Sequence, residues 1–260
     1  MPTIRSITRF VVPLALLVPA CRSATDPSRT ACGARFCVLF VDSSLNYFNA
    51  MPLIVKALAQ SNARGLVEVG GSYLPGATLD EHFADGDATR QIATRKWNVV
   101  SLGQGPSSRP ENRLFLREWT GRFAAVIRAA GARPALYGAW PTIENSGDFP
   151  GAIESYRLAA TDVDGLLFPV AAAWSKAFAR DPNAPLYSSD GWHPTAEGSY
   201  LAALVIYGAL FQVPVLGMPA ELQLSNGTTL RVESNLARLL QLAADEANVA
   251  SKSAGSVLIR

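Results

Sequence analysis

Apolar positions in this chain fall into short unbroken runs separated by longer stretches of helical spacing. Residues 36–41 (FCVLFV) are continuously apolar over a strand's length, the pattern of a strand covered on both faces. Residues 52–63 place Leu53, Val55, Leu58 and Ala59 around Lys56 and Gln60, which predicts a helix. Further strands are expected at 66–69, 97–102 (WNVVSL), 135–140 and 166–170. Over 113–130, Leu116, Trp119, Phe123, Val126, Ile127 and Ala130 recur at helical spacing. Arg117, Arg122 and Arg128 lie off that face, and Gly131 follows as a stop. Thr78-Leu79-Asp80-Glu81 fits a capping box, in which hydroxyl and carboxylate satisfy free amides at a helix start. Helices are also expected near 172–180, over 196–211 and over about 233–249. Residues 222–232 alternate around Asn226-Gly227, a hairpin signal.

Strand and helix alternate along the chain, which argues for one α/β domain over 36–250. It would be doubly wound, with a mainly parallel sheet flanked by helices, a small C-terminal hairpin and a tail at 251–260. The 260 residues can bury a core without staples, and 49% hydrophobic against 17% charged residues excludes a disordered chain. A net charge of +2 gives no basic field for sequence-independent nucleic-acid binding. With two histidines, and cysteines that lack zinc-ligand spacing, no metal site or cofactor is expected.

The first twenty residues have a different character. Arg5 and Arg9 precede the apolar run FVVPLALLVPA over 10–20, which ends on Ala20 directly before Cys21. This is a signal-peptide layout, too short to span a bilayer and interrupted by Pro13 and Pro19. Val18-Pro19-Ala20-Cys21 resembles the lipobox of bacterial lipoproteins, which implies cleavage before Cys21, a lipid on its sulfur and anchorage to the cell envelope. A plain secretory signal is the alternative. Residues 21–35, with the polar stretch RSATDPSRTA at 22–31, read as a tether. Export would let Cys32 and Cys37 form a disulfide; otherwise Cys37 is a buried thiol opening the first strand. Cleavage removes two arginines and no acid, leaving a mature chain of zero formal charge.

Ligands of open α/β sheets bind beyond the carboxyl ends of the strands. Asp42-Ser43-Ser44 follows the first strand, Gly70 to Gly76 the second and Gly103-Gln104-Gly105 the third, while Asp190-Gly191-Trp192-His193 precedes a helix. Serine, histidine and aspartate are the three roles of nucleophilic acyl transfer.

Asp42-Ser43-Ser44-Leu45-Asn46-Tyr47, with Asn49 and Pro52 further on, resembles the first block of the SGNH (GDSL-type) hydrolases. Asp190-Gly191-Trp192-His193-Pro194 resembles their last, Asp-x-x-His-Pro. Gly76 to Phe83 resembles the second block, and 97–102 the strand leading to the third. The resemblance runs from about Phe36 to Phe211 and implies a flavodoxin-like three-layer sandwich. It implies a serine esterase with Ser44 as nucleophile, His193 as base and Asp190 as its partner. The oxyanion would be held by the Ser44 and Gly76 amides, with Gln104 standing in for the third block's asparagine, whose aligned position is a glycine. The first block also departs from the pattern, so a slipped register would make Ser43 the nucleophile, and Gly70-Gly71 competes with Gly76. Substrates in this family are small, lipid or carbohydrate esters. A non-catalytic lipoprotein binding a glycan or acyl ligand is the second possibility, and a structural envelope lipoprotein the third. His82, on a helix, reads as a surface or packing residue. Asp42 would modulate the site or cap the turn, and Trp140 and Trp192 are either core or pocket wall.

Overall fold

Cys37, Val38, Leu39, Phe40 and Val41 are completely enclosed within strand β1 (Phe36–Asp42) of the computed structural model, which describes residues 31–62 and 64–256. Burial on both faces is what an unbroken apolar run demands. β1 lies between β2 (Val67–Tyr73) and β3 (Val99–Leu102), and β4 (Arg133–Tyr137) and β5 (Leu166–Phe168) follow. All five strands are parallel, in the order β2-β1-β3-β4-β5. This is the flavodoxin-like doubly wound order, and its switch point falls between β1 and β3.

The helices run α1 (Ser44–Tyr47), α2 (Met51–Ser61), α3 (Leu79–Asp85), α4 (Asp87–Thr94), α5 (Pro110–Ala129), α6 (Phe149–Asp162), α7 (Val170–Arg180), α8 (Ala196–Phe211) and α9 (Ser234–Ser256). Helices α3, α4, α5 and α6 pack in sequence on one side of the sheet, and α2 and α8 pack together on the other. Helix α8 is apolar all round because α2, α7, α9 and β5 cover it. The antiparallel pair β6 (Glu221–Gln223) and β7 (Thr229–Arg231) forms the expected hairpin. No helix among the described residues is long and apolar enough to cross a membrane.

Several boundaries shift by a few residues from the sequence pattern, among them β4, observed at Arg133–Tyr137 and expected at 135–140, and three differences matter most. Strand β2 runs on to Tyr73, so Gly70 and Gly71 pair with Leu39 and Phe40 inside the sheet rather than opening a loop. A Cβ on Gly70 would lie 2.5 Å from the Trp97 ring, and one on Gly71 would lie 2.0 Å from the Tyr73 ring. These glycines make room for aromatic rings within the sheet. Helix α6 was not expected; its proline stands in the first turn, where proline suits a helix. Helix α9 continues past 250 through the first part of the expected tail. The signal peptide, the lipobox and Cys21 lie outside the described residues. Within the 21–35 segment, Cys32 is disulfide-bonded to Cys37, tying the approach to β1 onto the strand.

Candidate active site

Polypeptide leaving β1 turns at once into α1, whose first residue is Ser44. That position leaves the Ser44 amide without a carbonyl partner in its own helix. The chain then passes through Asn49 and Ala50, both at φ +52°, before entering α2. An asparagine tolerates this left-handed conformation better than most residues. Asn49 also uses it: Nδ2 donates to the Pro194 carbonyl at 2.9 Å and to Ser199 Oγ at 3.0 Å. The serine-bearing turn is thereby pinned to the start of α8.

His193 comes from a loop built to fold back on itself. The Gly191 amide donates to the Ser188 carbonyl and the Ser188 amide to the His193 carbonyl. Gly191 has φ +67°, and a Cβ there would lie 2.6 Å from Ile143 Cγ2, so only glycine fits without displacement. Fully buried Trp140, stacked on Trp174 at 3.9 Å, braces the loop by donating from Nε1 to the Trp192 carbonyl. After the loop, Thr195 caps α8 by accepting from the Gly198 amide.

These two segments bring Ser44 Oγ to 2.9 Å from His193 Nε2, and His193 Nδ1 to 2.6 Å from Asp190 Oδ2. Asp190 Oδ1 accepts from the Trp192 and His193 amides and from the Ser188 hydroxyl. The His193 contact, followed by these donors, holds the Asp190 carboxyl well below the usual carboxylate range. An ionised Asp190 accepts a hydrogen bond from Nδ1–H and so keeps the proton on Nδ1, which leaves Nε2 free to accept from the Ser44 hydroxyl. The Phe48 ring stacks on the imidazole at 4.1 Å and 15°. Ser44 is 8% exposed. Of the two serines, it is Ser44 whose hydroxyl lies within hydrogen-bond distance of the imidazole.

Gln104 departs from its expected part. Its Oε1 accepts from the Leu79 amide at 3.0 Å and its Nε2 donates to Ser107 Oγ at 2.9 Å. The carboxamide is therefore used to tie the loop after β3 to the first turn of α3, and it is 3% exposed. Gly76 lies in the loop ahead of α3, at φ +70°, and the capping box of Thr78 and Glu81 is formed as expected. His82 is completely buried in α3, and burial lowers its pKa, with the Asp42 backbone carbonyl pulling the other way. It is a neutral packing residue. Asp42 is likewise buried, below the turn that bears Ser44. Trp140 is core, whereas Trp192 lines a depression.

That depression, of about 340 Å³, adjoins the histidine loop and lies between the segments after β3 and β4. Arg109, Asn112, Asn145 and Asp148 give it polar walls, with Phe115 and Trp192 as aromatic ones. Among the described residues no group of three or more His, Cys, Asp or Glu side chains is arranged to hold a metal ion. Sequence patterns alone did not reveal the Phe48 stack or the clamp made by Asn49, because each acts across a distance in the chain, nor Ser188, whose hydroxyl bonds Asp190 two residues on.

No protein-family model matches the chain, and no curated protein matches it in sequence. Solved structures do. A protein from Slackia heliotrinireducens described as an SGNH hydrolase superposes with a TM-score of 0.58 at 26% identity, over 67% of this chain and 98% of its own. A DUF4886 family protein from Bacteroides uniformis superposes with a TM-score of 0.65 at 17% identity, over 82% of this chain and 95% of its own. The lipase/acylhydrolase of Enterococcus faecalis gives 0.54 at 12% identity, over 68% of this chain and 96% of its own.

Proposed function

We propose that this chain, whose fold is that of the SGNH (GDSL-type) hydrolases it superposes on, is a serine esterase working through an acyl-enzyme. Ser44 Oγ attacks the ester carbonyl and passes its proton to His193 Nε2, while Asp190 stabilises the imidazolium. The tetrahedral oxyanion is met by the Ser44 and Gly76 amides. Collapse expels the alcohol, which takes the proton back from His193. Water activated by the same imidazole then releases the acid and frees Ser44. The observation that carries this reading is the unbroken line of contacts from Ser44 through His193 to Asp190.

The depression that adjoins the histidine loop at Trp192 suits a carbohydrate ester. Aromatic faces at Phe115 and Trp192 suit a sugar ring, and the side chains of Arg109, Asn112, Asn145 and Asp148 suit its hydroxyls. We assign the mature protein to the bacterial cell envelope, anchored through a lipid on Cys21, because the lipobox-like residues end an apolar run of signal-peptide length. Commitment of the Gln104 carboxamide to Leu79 and Ser107 favours one other reading, a glycan- or acyl-binding lipoprotein without turnover. Loss of one oxyanion donor costs about 10²–10³ in kcat, so the esterase reading predicts a slow enzyme. Hydrolysis of aryl acetates and acetylated sugars by protein lacking residues 1–21 separates the two. The esterase reading expects turnover that falls by about 10³ or more in Ser44→Ala and much less in Ser43→Ala. Equal rates for wild type and Ser44→Ala would favour the binding protein.

A further inference from the structure

We propose that Asp42 positions the nucleophile: its carboxyl group, seated against Gly103, holds the Ser43 amide and the Asn46 side chain and so fixes the turn that carries Ser44. Asp42 is the last residue of β1 and is 1% exposed. Oδ1 accepts from the Ser43 amide at 2.6 Å, and Oδ2 accepts from Asn46 Nδ2 at 3.2 Å. One side chain therefore grips α1 on both sides of Ser44, at the residue before it and at the residue two beyond it.

The seat for that carboxyl is supplied by the neighbouring strand. A Cβ on Gly103, at the end of β3, would lie 2.2 Å from Asp42 Oδ2 and 2.6 Å from its Cγ. Any side chain at 103 would evict the carboxyl, so Asp42 and Gly103 are a matched pair across the β1–β3 switch point. Among the described residues no cationic side chain figures in the electrostatics of this carboxyl. Tyr73 of β2, Tyr137 of β4 and Tyr156 of α6 feel its charge, and His82 of α3, kept neutral by burial, faces its backbone. Burial accordingly pushes the Asp42 carboxyl up to about 7, against the pull of its Ser43 and Asn46 donors. A buried carboxyl without a countercharge is costly to keep, and its contacts all converge on the turn bearing Ser44.

The consequence for catalysis rests on the esterase reading, whereas the positioning itself does not. The test compares Asp42→Ala, Asp42→Asn, Gly103→Ala and the Asp42→Ala/Gly103→Ala double variant for turnover of an aryl acetate. It also follows the Ser43 amide proton by NMR across pH 5–9. The expected result for Asp42→Ala is a tenfold or larger loss in kcat with KM within threefold, most of it recovered by Asp42→Asn. Gly103→Ala is expected to cost a similar factor alone and nothing more on top of Asp42→Ala. In the wild type the Ser43 amide resonance moves with pH near neutrality, and in Asp42→Asn it stays still. A rate for Asp42→Ala within twofold of wild type, or independent multiplying effects at 42 and 103, overturns the proposal. If Asp42→Ala does not fold, Asp42→Asn and Gly103→Ala decide it. If the wild type turns over no ester, the esterase reading is what fails, and the Ser43 resonance alone judges the positioning: a Ser43 signal equally pH-dependent in wild type and Asp42→Asn overturns it.

Discussion

Asp42 and Asp190 are drawn in opposite directions by their surroundings. Asp190 stands in a half-exposed loop and gathers four donors, so it stays ionised throughout the neutral range. Asp42 is enclosed and is raised from 3.8 to about 7. Its proton is held more tightly in the folded chain than in the unfolded one. No penalty exists below about pH 4, it grows as pH rises through 7, and it is constant above that. Three pKa units correspond to roughly 4 kcal/mol. Chemical denaturation should therefore show Asp42→Asn gaining stability over wild type between pH 4 and pH 8, by a few kcal/mol; equal stability curves at both pH values would contradict this. At this scale much of the site was legible. A serine after an apolar strand and an Asp-x-x-His loop are local signals, and both residues meet in space. What Asp42 and Gln104 do was not, because their partners Gly103, Leu79 and Ser107 are chosen by how strands and loops abut.

Between elements, the catalytic geometry depends on the turn after β1 and the start of α8 being locked together. Asn49 supplies that lock, with two hydrogen bonds spanning about 150 residues of sequence. Its substitution by alanine removes both donors and leaves a left-handed backbone better suited to asparagine. Each lost bond is worth about 0.5–1.5 kcal/mol. Asn49→Ala should therefore lower the melting temperature by several degrees and cut kcat about tenfold while changing KM little; an unchanged kcat would show that α8 and the serine turn keep their distance without it. Helix α5, with its strong periodicity, was legible from side-chain spacing. Helix α6 was hidden by its Pro-Gly start, and the end of β2 by glycines that exist for the sake of the Trp97 and Tyr73 rings. In both cases tertiary packing overrode a local breaker signal.

For the whole molecule, strand order settles where chemistry can occur. The order in which strands are added reverses between β1 and β3, and the serine turn, the Asp42–Gly103 pair and the Gln104 loop all gather beyond those strand ends. At the opposite end of β1, the Cys32–Cys37 bridge closes a loop of a few residues. A loop this short contributes about 2 kcal/mol in the chain-entropy account. Reduction should lower the melting temperature by several degrees and leave esterase turnover intact, since the bridge lies at the start of β1 and the serine at its end. Loss of turnover on reduction would instead couple the two ends. The most direct test of the whole account is covalent: protein lacking residues 1–21 is treated with a fluorophosphonate and its intact mass and labelled peptide are determined. One phosphonyl group on Ser44, abolished in Ser44→Ala and strongly slowed in His193→Ala, is the predicted result. An unlabelled protein, or a label carried by Ser43, would contradict it.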